Sequence, residues 1–242
     1  MSKRAFAIAC HPDDIEFGMA GTLLKLKKAG YEVHYMNIAN GSMGTNCHSR
    51  EEIIRLRRLE AKSSAESQGI IFHESLCDDL EVFYCKELFR ALVPVVREVD
   101  PEIVLTHGPY DYMEDHVNAG RLAVTATFCR GMTNCPVTRP AKAVDTQVAV
   151  YHSMPHSITD ALRRPVIPGM FVDIEDQIEI KKSMLACHKS QVVWLMDHDG
   201  VDVLENTRVM SRFRGMQCGV KYAECFKRCH ADLRNPTKRF LP

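Results

Sequence analysis

Two runs in this chain carry the residue types of metal chemistry: His11-Pro12-Asp13-Asp14, and, much later, His107-Gly108-Pro109-Tyr110-Asp111-Tyr112-Met113-Glu114-Asp115-His116. Histidine and aspartate are good ligands for first-row divalent cations. Pro12 fixes its own φ and pushes His11 toward extended geometry, so three polar side chains leave the backbone in a short turn. Adjacent carboxylates in such a turn point in different directions, so one can bind a metal while the other faces a water. His11, Asp14 and His116 would make a two-histidine, one-carboxylate set with an open position, the ligand count of a catalytic zinc. Zinc acidifies water, and a carboxylate such as Asp13 can take the proton. Taken alone, HPDD reads equally well as an aspartate capping the next helix. The second cluster tips the balance toward chemistry.

Positioning these runs requires strands that end at them. Ala5–Cys10 is a continuous apolar run, as expected of a parallel strand buried on both faces. A helix follows over Gly18–Lys28, ended by Gly30, then a strand over Val33–Ala39. Ser49–Gln68 is a helix with a Ser49/Glu52 capping box and an Ile53, Leu56, Leu59 stripe. Ile70–His73 reads as a strand and Lys86–Val99 as a helix that Pro94 should kink or delay. Ile103–Thr106 is a strand, His116–Arg130 a helix and Gln147–Tyr151 a strand. This alternation predicts an α/β fold, a doubly wound, mostly parallel, Rossmann-like sheet with helices on both faces. Ligands in such sheets bind beyond the carboxyl ends of the strands, at the switch point that strands one and four would flank. After about residue 155 the pattern loosens. Asp173 can cap a helix from Ile174 to His188, and short mixed segments follow from Gln191 to a final ADLRNPTKRFLP. The expectation is one domain over 1–242 with a C-terminal elaboration from about 155.

Composition narrows the classes. Lys+Arg and Asp+Glu are 31 each, so there is no basic footprint for nucleic acid and no polybasic membrane anchor. No stretch reaches the length of a membrane span and the N-terminus does not read as a signal peptide, so a cytoplasmic location is expected. Ten cysteines without a CxxC are expected to be reduced thiols. Cys225, Cys229 and His230 could share a helix face around a metal, but a structural zinc would want a fourth ligand.

With those residues in view, the chain resembles the LmbE-like, or PIG-L, zinc-dependent N-acetylglucosamine deacetylases. The matching pieces are Cys10–Gly18 around HPDD, Arg57-x-x-Glu60, Asp115-His116, Lys181, His188-Lys189-Ser190-Gln191 and Gly219–Phe226 with its YAExF core. They occur in order across nearly the whole chain. The resemblance implies His11, Asp14 and His116 as ligands of zinc (iron would also suit the set), Asp13 as general base, and Asp115 as the residue orienting a histidine. It implies a small-molecule amino-sugar substrate and leaves a homo-oligomer open. There is one departure. Many relatives have HPDH before the helix that starts at His116, its first histidine assisting the tetrahedral intermediate, and here that position is Met113. Another group, His107, His188, Tyr112 or Arg57, would have to take its place, or the activity is altered.

Other candidates carry competing readings. Arg57 is either a solvated helix charge paired with Glu60 or a catalytic and substrate-facing residue. His188 is either favoured by the dipole in a helix's last turn or near the site together with Gln191. Gly41 follows the second strand, where its backbone could meet substrate. Asp197-His198-Asp199 reads as an exposed turn, and Tyr222 and Phe226 as core. Two rival functions stand beside amino-sugar deacetylation: an amidase on a non-sugar or thiol-conjugate substrate, and a sugar-binding protein with impaired catalysis. A dinucleotide enzyme is disfavoured, since HPDD stands where GxGxxG would.

Overall fold

The structure, a computed structural model, describes residues 3–230 and 241–242. Seven strands form one sheet: β1 (Arg4–Ala9), β2 (Glu32–Asn37), β3 (Ile71–His73), β4 (Ile103–His107), β5 (Ala149–Ser153), β6 (Met170–Asp173) and β7 (Ala223–Arg228). Their order is β3-β2-β1-β4-β5-β7-β6. The first five strands run parallel, and β7 pairs antiparallel with both β5 and β6. The mostly parallel α/β sheet read from the sequence is therefore the observed fold, with an antiparallel edge added.

Among the described residues eight helices complete it: α1 (Asp14–Gly18), α2 (Ala20–Lys28), α3 (Arg50–Ser67), α4 (Lys86–Val99), α5 (Glu114–Cys129), α6 (Ile178–Leu185), α7 (Lys189–Asp199) and α8 (Val203–Cys218). Burial explains the sequence pattern. In β1 all residues after Arg4 are buried, because alternate side chains enter two separate cores. Ala5, Ala7 and Ala9 face the core that contains Leu23, Tyr35 and Phe226. Phe6 and Ile8 face the one that contains Leu92, Val96 and Leu122. Continuous apolarity is what a strand sandwiched between two helical layers needs. The capping box on α3 forms between Ser49 and Glu52 as read. Pro94 sits inside α4, which runs on to Val99.

Beta-strand β1 is flanked by β2 and β4, in register Ile8↔Met36 and Ile8↔Thr106. The turns after β1 and β4 therefore open side by side at the switch point. Beyond residue 155 the structure departs from the sequence reading. Met170–Asp173 is a strand, and a 3-10 turn over Glu175–Gln177 precedes α6. The helix ends at Leu185, so His188 is not in a last turn but at the N-cap of α7. The segments from Gln191 are not short and mixed: they form α7, α8 and β7. Cys225 lies on that strand rather than on a helix, so four residues carry Cys229 about 13 Å along it. No disulfide forms among the described residues. No helix among the described residues is long and apolar enough to cross a membrane. Residues 231–240 of the final segment lie outside the described residues.

Candidate metal centre and active site

The HPDD turn leaves β1 under strain. Asp13 has φ 114° and ψ −25°, a region costly for a residue with a Cβ and common where function demands it. It occupies the N-cap position of α1, yet its side chain makes no capping hydrogen bond. The helix-cap explanation for this carboxylate therefore fails. Instead, Asp13 Oδ2 accepts from Arg57 Nη2 at 3.2 Å, and the same nitrogen donates to the Pro12 carbonyl. Arg57 is 3 % exposed, so it is no solvated helix charge. Glu60 is not its partner: that carboxylate accepts from Ser190 N and Oγ at the start of α7. Burial pushes the Asp13 carboxyl up to about 6, with the Arg57 charge opposing.

Asp14 is the hub. Its Oδ1 lies 3.3 Å from His116 Nε2, and its Oδ2 lies 3.1 Å from His107 Nε2 and 3.6 Å from His11 Nδ1. The outer nitrogens of two of these rings are engaged by carboxylates. His116 Nδ1 meets Asp111 Oδ1 at 3.1 Å, and His11 Nε2 meets Asp115 Oδ2 at 3.1 Å, where the Leu80 N–H also donates. A carboxylate that takes the N–H on one side of an imidazole leaves a lone pair on the other, the usual second shell of a metal-binding histidine. His107 Nε2 accepts the Cys10 N–H at 3.0 Å, so it too presents an acceptor to Asp14. Acceptors facing acceptors are what a cation bridges, and the residues present fit a divalent metal on this evidence. The donor atoms of Asp14, His107 and His116 lie within 4.8 Å of one another, as do those of Cys10, His11 and Asp14. Although burial opposes it, the Asp14 and Asp111 charges hold His116 up to about 9. Asp14 itself sits well below the usual carboxylate range, its burial outweighed by His116 and His107.

These side chains open into a cavity of about 510 Å³ whose wall includes His11, Asp13, Asp14, Arg57, His107, Asp111, Met113, His116 and Gln191. Gly41 and His188 lie behind it. At φ +82° an added Gly41 Cβ would meet Arg57 Cδ at 2.4 Å, so this glycine makes room for the arginine rather than for substrate. His188 is fully buried, 3.2 Å from Glu16. Gln191 borders the cavity while its Nε2 donates to the Gly44 carbonyl at 2.9 Å. Asp115 stands behind His11. The far wall comes from α7 and α8, with Trp194, Leu195, Val203 and Met210.

The family model PIG-L, described as GlcNAc-PI de-N-acetylase, matches residues 6–127. A diacetylchitobiose deacetylase of Thermococcus kodakarensis is 32% identical over 232 residues, covering 92% of this chain and 81% of that protein. The chain belongs to the PIG-L family. Another relative of this PIG-L protein is a 4-oxalmesaconate hydratase of Pseudomonas putida, 26% identical over 199 residues, 78% of this chain and 74% of that one. Among solved structures, the N,N'-diacetylchitobiose deacetylase from Pyrococcus horikoshii in complex with an inhibitor superposes with a TM-score of 0.80 at 27% identity, covering 98% of this chain and 87% of that one.

For this PIG-L chain the sequence reading missed Asp111, the partner of His116. Its signal was there, an aspartate five residues before the histidine, but nothing in the spacing separates it from a turn residue. It also missed the whole α7–α8 wall.

Proposed function

We propose that this protein is a metal-dependent deacetylase that hydrolyses the N-acetyl group of an N-acetylglucosamine-type amino sugar. The observation that carries this reading is the convergence of His11, His107 and His116 on the Asp14 carboxylate, beside a second, buried carboxylate held by Arg57. His11, Asp14 and His116 would hold the metal; His107 stands beside them with the lone pair of its Nε2 taken by the Cys10 N–H. Zinc suits this nitrogen and oxygen set, and so does iron. The metal would polarise the amide carbonyl and acidify water there.

The protein's own groups supply the rest. Asp13 takes the proton of the attacking water as general base. Arg57 fixes the Asp13 carboxylate and compensates its burial. Asp111 and Asp115 hold His116 and His11 in one orientation and tautomer. Asp13, once protonated, is placed to return the proton to the leaving amine. Names of relatives support the substrate class: deacetylation of diacetylchitobiose is the activity given to the Thermococcus protein.

The test is a screen of N-acetylated sugars with the metal quantified by elemental analysis. Turnover of N-acetylglucosamine glycosides is expected with about one metal per chain. Asp14→Ala should remove the metal while the circular dichroism of the fold persists. Full metal retention in that variant would overturn the ligand assignment. A second reading is favoured by Met113, which borders the cavity and has no proton to give: hydrolysis of a non-sugar amide, hydration of a small acid as in the Pseudomonas relative, or sugar binding without turnover. Met113→His separates these, since a gain in sugar deacetylation supports the first reading.

A further inference from the structure

Three cations line the cavity: Arg57, Lys181 and Arg214. Two are neutralised. Arg57 pairs with Asp13, and Lys181 pairs with Glu224 at 2.7 Å. Among the described residues Arg214 has no such carboxylate partner. It is 6 % exposed, and its Nη1 donates to a neutral amide oxygen, Gln217 Oε1, at 3.0 Å. Its Nη2 is buried without a hydrogen bond among the described residues. Glu224 has no oxygen to spare for it. Glu224 Oε1 accepts from Gly21 N and Lys181 Nζ, and Oε2 from Thr22 N and Oγ1.

A guanidinium withdrawn from water without a counter-charge is costly, and such a group is kept where a ligand completes it. The fold holds it in place. Val203, Thr207, Ser211 and Arg214 are buried along one face of α8. An added Cβ at Gly215 would lie 2.6 Å from the Val220 carbonyl, so this helix is pressed against the turn before β7. His156, from the segment after β5, lines the same cavity, and burial first, then the Lys181 charge and last the Arg214 charge, disfavour its protonated form. Asn206 Nδ2 lies 3.2 Å from His156 Nε2.

We propose that Arg214, with Asn206 and His156 beside it, is an oxyanion-binding subsite, and that the natural substrate carries a carboxylate or phosphate on the part of the molecule away from the scissile amide. This rests on the hydrolase reading above. Arg214 supplies the charge. The α8 amide and the imidazole supply neutral donors, and Trp194 and Met210 add apolar surface to the same cavity, which lowers its dielectric.

The experiment compares N-acetylglucosaminides that differ only in the aglycone terminus: a carboxylate, a phosphate monoester and the neutral primary amide. The metal-loaded wild-type enzyme should prefer one of the two anionic substrates by about tenfold or more in kcat/KM, and which one identifies the anion. Arg214→Gln should bring that substrate to parity with the amide, and Arg214→Lys should fall between. A wild-type ratio near one, or a ratio that Arg214→Gln leaves in place, overturns the proposal. If no substrate is turned over, the deacetylase reading fails by itself. The subsite is then judged on metal-free protein by calorimetric titration with the corresponding free-amine glucosaminides. Tighter binding of an anionic glycoside that Arg214→Gln abolishes supports it, and equal binding of all three overturns it.

Discussion

At the residue scale, Asp13 concentrates the chemistry. Its backbone is in a region that favours glycine, its side chain is buried, and its counter-ion is a buried arginine. These costs are sustained only if that carboxylate is needed where it stands. Asp13→Asn should keep the metal and the fold, since asparagine accepts the Arg57 hydrogen bond and tolerates positive φ. Its kcat should fall by about a hundredfold or more, the usual worth of a general base, as measured by steady-state deacetylation with metal content monitored in parallel. Near-normal turnover would remove Asp13 from the mechanism. The residue types of HPDD and of His116 were legible in the sequence because few other roles put two histidines and two aspartates at strand ends. Asp111 was not, because an aspartate beside Pro109 and Tyr110 has the signature of a turn. The burial of Arg57 was also illegible, since α3 is otherwise rich in exposed charge and only the contact with Asp13 sets this arginine apart.

At the scale of elements, the motif pieces late in the chain act as braces. Lys181 of α6, 1 % exposed, donates to the Phe17 carbonyl at 2.9 Å and to Glu224 of β7. Glu224 in turn takes the free N–H groups at the start of α2, where a helix N-terminus favours a negative charge. Three elements far apart in sequence are thus joined beneath the metal turn. Glu60 does the same for α7 through Ser190, and Glu16 binds His188 and Tyr35 together. Removing one member leaves the other charge buried and uncompensated. Lys181→Met should therefore destabilise the fold by about 3–5 kcal/mol, read from chemical denaturation, while the double variant Lys181→Met/Glu224→Leu should recover part of the loss. An additive double variant would refute the pairing. Strands β1, β2, β4 and β5 could be read from sequence because two-sided burial favours apolar runs, whereas β3 is a short, part-exposed edge strand. Helix α8 could not, because its inner face carries Thr207, Ser211 and Arg214 toward a cavity instead of leucines toward a core. Its Asp202 N-cap and Gly219 C-cap were the available signals.

At the scale of the whole molecule, labour is divided along the chain. The proposed metal donors and the proposed general base all lie between residues 11 and 116, within the span matched by the PIG-L family model. The wall opposite them is built from residues after β5, outside that span. Chemistry and selectivity are thus separable, and substitutions on α7 and α8 should alter KM and substrate choice more than the intrinsic rate. The chain's sole tryptophan, Trp194, stands on that wall with its indole N–H buried and without a hydrogen bond among the described residues. An indole so placed is a built-in optical probe: its emission should change in wavelength or intensity as a saturable function of added glycoside, and a Trp194→Phe protein should be silent. Occupancy of the site could then be followed with no label and no turnover, even in a protein stripped of its metal.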